Sequence, residues 1–214
     1  LQKKLLIKLM NNFLKKFNFE IPWDQKIAFV ISKPFIFFRI HPNIVTIVGV
    51  FIGILSGFLF STNIEINAKI ASILFFIAAT FDHVDGLVAR KLNKTSTIGH
   101  YLDHIGVCVT YISMFIGLGI LIEKNSFNGL IYGITSAICI FLIMTIRFYL
   151  ERKKGGIAIK QNNFLGFEQE DILYLIIPIT FLNKINDFLY FAYIGAPIFL
   201  IITIIIFFYK MKKL

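Results

Sequence analysis

From about residue 43 onward, apolar runs close to twenty residues long alternate with short polar links, whereas before it apolar residues are interleaved with lysines. A run of ~20 apolar residues is long enough for a helix to cross a ~30 Å hydrocarbon core. The pattern predicts six spans, at 43–61, 67–86, 99–122, 129–149, 170–185 and 188–209; the fifth is short and contains Pro178. Residues 1–16 and 25–39 read as amphipathic helices lying in the membrane interface, with Trp23 and the phenylalanines at 35, 37 and 38 as anchors. The expected fold is therefore all-α and polytopic: an amphipathic interfacial segment (1–42) followed by a six-helix transmembrane domain (43–214).

Composition agrees with lipid as the solvent. Of 214 residues, 57% are hydrophobic and only 16% charged, with a mean hydropathy of +0.77. These figures exclude a soluble enzyme, a disulfide scaffold and a disordered tail. Cys108 and Cys139 both lie inside apolar runs, where a small buried hydrophobe is the better reading than a disulfide. The net charge of +10 is explained by position. Basic residues crowd the leading segment, the link at Arg90, Lys91 and Lys94, the stretch from Arg147 to Lys160, and the tail, leaving only Lys69, Lys124 and Lys184 for the opposite side. The positive-inside rule then puts both termini, and the site described next, on the cytoplasmic face of a bacterial-type cytoplasmic membrane. Orientation accounts for the basic excess, and no nucleic-acid partner is expected.

The scarce acids carry the chemistry. The second span ends FDHVDGLVARK, with Asp82 and Asp85 near the hydrocarbon boundary, where an ionised carboxylate costs up to ~2.5–3.5 kcal/mol and needs a partner or a purpose. Asp82, Asp85, Gly86, Ala89 and Arg90 fall on one helical face. Two carboxylates one turn apart suit divalent cations, the small residues let an extended ligand approach the backbone, and Arg90 suits a phosphate. Asp103 follows Gly99 by one turn on the next span, joined through the polar turn 93–97, so the two acidic faces can meet.

The string Asp82-x2-Asp85-Gly86-x2-Ala89-Arg90-x8-Gly99-x3-Asp103 resembles the signature of the CDP-alcohol phosphotransferases, membrane enzymes that make phospholipid head groups. The stretch Pro42-Asn43-x2-Thr46 is similar to that family's approach to its first span. The resemblance implies transfer of a phosphatidyl or phospho-alcohol group from a CDP-alcohol donor to an alcohol acceptor, with release of CMP, among membrane lipids. It implies Asp82, Asp85 and Asp103 as ligands of two Mg²⁺ or Mn²⁺ ions. It also implies Asn43, Thr46, Gly86, Ala89, Arg90 and Gly99 on the nucleotide side, and a homodimer.

The signature ends Asp-x3-Asp, its last aspartate being the base that takes the acceptor proton, and here that position is Val107. His100 and His104 are candidate substitutes; interfacial histidines bonded to head groups, or a proton lost to water, are the alternatives. Arg147 is a topology anchor or a contact for an anionic acceptor. Glu168, Glu170 and Asp171 either border the acceptor pocket or form an exposed acidic helix start. Gly49, Gly53 and Gly57 form a helix-packing stripe. Two other functions stand beside the enzyme: a family member that binds CDP-alcohol and metal without efficient turnover, and an ion or solute transporter. The transporter reading is weakened by carboxylates that sit at one edge rather than at the midplane between repeats.

Overall fold

A computed structural model describes residues 22–124, 128–155 and 169–212, and among these it contains helices and no strand. The helices are α1 (Trp23–Phe37), α2 (Pro42–Ser61), α3 (Glu65–Lys91), α4 (Thr97–Glu123) and α5 (Gly129–Lys154). A 3₁₀ segment, Gln169–Leu175, then leads into α6 (Ile176–Phe181) and α7 (Ile185–Lys212). The amphipathic segment 1–16 lies outside the described residues.

Local chemistry sets the boundaries. Pro42 opens α2 in the first turn, where its missing N–H costs nothing, and Nδ1 of His41 accepts from the Asn43 N–H at 3.3 Å. Ser96 caps α4 by accepting from the Gly99 N–H at 3.0 Å. Asn63, Asn93, Asn128 and Asn183 occupy left-handed conformations at the turns between helices, the conformation asparagine tolerates best after glycine.

Among the described residues, five helices are long and apolar enough to cross a membrane: α2, α3, α4, α5 and α7. This corrects the expected count of six. The fifth run, 170–185, is not one long helix, since its apolar helical part is confined to Asp171–Phe181. Pro178 gives the reason. A continuous helix would place it in the interior, with a lost hydrogen bond and a ring clash one turn back. The chain instead restarts as α6 with Pro178 in the first turn.

Direction is nevertheless preserved. Trp23 binds Asp171 at the start of this segment, while the Phe181 ring at its end lies 5.8 Å from Lys69 Nζ, at the start of α3. Lys124 Nζ donates to the Ser61 carbonyl at 2.7 Å, bringing the ends of α2 and α4 to this same edge. The short segment thus climbs from the middle of the bundle to the edge that holds Lys69, and α7 returns.

The core of the bundle lies between α2, α3, α4 and α6, around the fully buried Phe60, Phe75, Met114, Leu118 and Ile176. The glycine stripe of α2 packs inside the bundle. A Cβ on Gly49 would stand 2.9 Å from Phe81 Cβ of α3, one on Gly53 2.9 Å from Thr110 Cβ, and one on Gly57 2.8 Å from Ser113 Cβ, both of α4. Close backbone approach fixes how deeply α2 sits between its neighbours, and this sets the geometry of the cleft above it. α1 packs on α3 through Ala28, against Val84 and Val88.

Candidate functional site

The faces of α2, α3 and α4 converge on a cleft bordered by Thr46, Asp82, Asp85, Asp103 and Val107. Asp85 is 3% exposed and accepts a hydrogen bond from the Thr46 hydroxyl at 2.5 Å, so α2 and α3 are joined through the signature itself. Gly106 allows this, because a Cβ there would lie 2.8 Å from Val50 Cγ2 and 3.3 Å from Thr46 Cγ2. The Asp82 carboxyl faces that of Asp103 within hydrogen-bonding reach, and the charge of Asp85 acts on it as well. Oδ1 of Asp103 is buried and has no hydrogen-bond partner.

The outer residues of the signature are also gathered. A Cβ on Gly99 would be 3.3 Å from Asn43 Oδ1, placing the starts of α2 and α4 side by side. Arg90 folds its guanidinium back over Gly86, with Nη1 3.3 Å from where a Cβ would stand. Ala89 is partly buried and Arg90 exposed, so the small residues leave a shallow face with an exposed cation above it.

The other wall comes from outside the signature. Asp24 on α1 is 3% exposed; its Oδ2 lies 2.9 Å from His83 Nε2 and accepts from the Tyr174 hydroxyl at 3.3 Å, and its Oδ1 accepts from the Gln25 N–H at 2.7 Å. Burial works against the Asp24 charge, but the hydrogen bond and charge of His83, with the Gln25 and Tyr174 bonds, outweigh it and hold the carboxyl below its usual pKa. The Trp23 indole N–H donates to Asp171 Oδ2 at 2.8 Å. Trp23 stacks on Phe76, and Tyr174 meets both rings edge-on. Asp24, His83, Tyr111, Asp171 and Tyr174 all line the cleft.

Of these, Asp171 is singled out by the sequence; Asp24, His83, Tyr111 and Tyr174 are brought to the site by the fold alone. One signal was available: Asp24 and Glu20 are the only acids before residue 65, and Asp24 adjoins the single tryptophan.

His100 and His104 are not brought into the cleft. Both rings pack on Phe148 of α5, His104 stacked at 4.2 Å and His100 at 4.9 Å, with His100 Nε2 3.9 Å from Glu151 Oε2. His104 Nε2 lies 3.8 Å from Cys108 Sγ. Val107, between them on the helix, does border the cleft. Arg147 is half-buried, and its charge reaches the Tyr111 hydroxyl beneath the site. Glu168 lies outside the described residues. Among the described residues no group of three or more His, Cys, Asp or Glu side chains is arranged as a metal-binding cluster. The three signature carboxylates share one cleft, but Asp85 is turned toward Thr46.

A sequence model described as CDP-alcohol phosphatidyltransferase matches residues 39–211, which includes the whole signature and leaves out α1. An uncharacterized protein of Aquifex aeolicus (strain VF5) is 34% identical over 67 residues, covering 31% of this chain and 32% of that protein. The chain thus matches about a third of the length of this curated relative.

Proposed function

We propose a reaction from one premise, that this chain belongs to the CDP-alcohol phosphatidyltransferase family. The protein is a membrane phosphotransferase of phospholipid synthesis that moves a phosphatidyl or phospho-alcohol group from a CDP-alcohol to an acceptor hydroxyl and releases CMP. The observation that carries the reading is the meeting of Asp82, Asp85 and Asp103, from two helices, in one cleft with Thr46 of a third.

Asp82, Asp85 and Asp103 would hold Mg²⁺ or Mn²⁺, two ions in all. The residues fit such a group, because a buried Asp103 oxygen is left without a partner and the donors are all carboxylate. Bound there, the cations would neutralise diphosphate charge and ease departure of CMP. Asp85 must turn from Thr46 to join them, and the Thr46 hydroxyl is then left to orient it or the donor. Gly86, Ala89 and Gly99 leave the backbone open to the nucleotide, with Asn43 beside Gly99 as a polar contact. Arg90, exposed over Gly86, meets a phosphate oxygen. Arg147 lends positive potential from below.

On the same reading the basic edge and the cleft face the cytoplasm, in line with the distribution of lysine and arginine. Assembly as a homodimer is carried on family likeness alone.

The test is CMP release by the purified protein with Mn²⁺ and a panel of CDP-alcohols and acceptors. Metal-dependent CMP from at least one pair is expected. CDP-alcohol binding with no CMP from any pair would favour the second reading, a binder without turnover, which Val107 at the cleft supports.

A further inference from the structure

The helices α1, α3 and α6 end in the same way. At each end a residue in the left-handed conformation donates its N–H to one carbonyl of the last turn, and the next residue donates to the carbonyl before it. The bonds are Arg39 to Ile36 and Ile40 to Phe35, Asn93 to Arg90 and Lys94 to Ala89, and Asn183 to Thr180 and Lys184 to Ile179. α3 and α6 use asparagine at the left-handed position, and its short side chain suits it. α1 uses arginine there, at φ 51°. Arginine has no such local compensation, and its Cβ crowds the following carbonyl. A side chain kept on an unfavourable backbone conformation points to a task for that side chain.

The setting identifies the task. Arg39 is exposed and, among the described residues, forms no ion pair. Just before it Phe37 and Phe38 are 80% and 70% exposed, their rings edge-on to one another at 5.1 Å. The other face of α1 is occupied, since Asp24, Ala28 and Ser32 are buried. Asp24, the one acid of α1, lies at the opposite end of the helix, whereas the exposed Lys33 lies in the half nearer Arg39. Ile40 and Leu92 pack on the same small core of Val84 and Val88, so Arg39 emerges at the edge that carries the exposed Lys91 and Lys94. Exposed phenylalanines beside a cation match a lipid surface, with acyl chains for the rings and a phosphate for the guanidinium.

We propose that the end of α1 is a binding site for an anionic phospholipid. Phe37 and Phe38 enter the acyl region, and Arg39 forks onto the head-group phosphate. Lys91 and Lys94 supply the positive field that favours a net negative head group over a zwitterionic one. The site stands apart from the phosphotransferase reading, and neither donor nor acceptor takes part in it.

Arg39→Asn isolates the guanidinium, because asparagine already closes α3 and α6 in this conformation. Lipid binding to the full chain in detergent is read by native mass spectrometry, with phosphatidylglycerol and phosphatidylcholine added separately. Wild type is expected to bind phosphatidylglycerol more tightly than phosphatidylcholine. Arg39→Asn is expected to lose about fivefold in phosphatidylglycerol affinity, the scale of one basic residue at a lipid surface, with an unfolding temperature no lower than that of wild type. Lys184→Gln, which removes one charge at the edge that holds Lys69, is expected to bind as wild type does. Wild type binding both lipids alike, or Arg39→Asn binding phosphatidylglycerol as tightly as wild type, would overturn the proposal. So would an equal loss in Lys184→Gln, which would mark overall charge, or a lower unfolding temperature in Arg39→Asn, which would give the arginine a structural role. Displacement of the lipid by excess CMP would put Arg39 with the nucleotide and overturn it as well.

Discussion

Trp23 and Asp171, 148 residues apart in the chain, are joined by a 2.8 Å hydrogen bond from the indole N–H to the carboxylate. The bond closes the cleft on the side the signature does not reach. It also ties α1 to a segment broken from the regular helix by Pro178.

Trp23→Phe keeps the ring on Phe76 and removes the donor. A hydrogen bond to a charged acceptor contributes ~1.5–3 kcal/mol, so the variant is expected to unfold that much more easily in detergent. Equal stability in an unfolding titration would make the contact incidental.

The three signature aspartates predict cation binding that does not depend on turnover. Calorimetric titration of the substrate-free protein with Mn²⁺ is expected to give binding that weakens at least about tenfold in Asp103→Asn, the effect of losing one carboxylate ligand from a hard-cation site. Unaltered binding would place the cations elsewhere.

The Asp24 carboxyl is held below the usual aspartate value of 3.8. A lowered folded pKa adds stability that is fully present above the unfolded value and is lost as pH falls through the folded one. Wild type is therefore expected to lose stability as pH drops below about 4 more steeply than Asp24→Asn, which is weaker at neutral pH and flatter in acid. Parallel curves for the two proteins would contradict the Asp24–His83 pairing.

Helix packing makes its own prediction. A Cβ on Gly57 would meet the backbone carbonyl and Cβ of Ser113, whereas one on Gly195 of α7 meets nothing within 4 Å. Gly57→Ala is expected to cost ~1–3 kcal/mol through overpacking, and Gly195→Ala nothing measurable. Similar unfolding curves for both would mean that α2 and α4 approach less closely.

With their rings on Phe148, His100→Gln and His104→Gln are expected to stay within about threefold of wild-type CMP release. A loss near 100-fold, the scale of a missing general base, would return one of them to the reaction.

Much of the fold was legible because its determinants are local. Pro42, Ser96 and the turn asparagines end helices through their own backbone preferences, and the lysine distribution separates the two edges without any tertiary information. The signature was legible for the same reason: one helical face carries Asp82, Asp85 and Arg90 whatever packs against it. The fifth run misled because average hydropathy does not register what a proline at 178 does to a helix eleven residues long. The histidines show a related limit. Helical spacing sets His100 on the same side as Asp103, but Phe148 on a neighbouring helix draws the ring aside. Asp24 and Tyr174 could not be read as neighbours, since only the packing of the Gln169–Leu175 segment against α1 brings them together.

The central claim is that carboxylates from α3 and α4 act together on a CDP-alcohol. Its most direct test is CMP release at saturating donor and acceptor by wild type, Asp82→Asn and Asp103→Asn, with donor binding measured on the same samples. The account predicts metal-dependent release by wild type and a loss of about 100-fold or more in each variant, as expected when charge stabilisation at the reacting phosphate is removed. Variants that release CMP at the wild-type rate would contradict it.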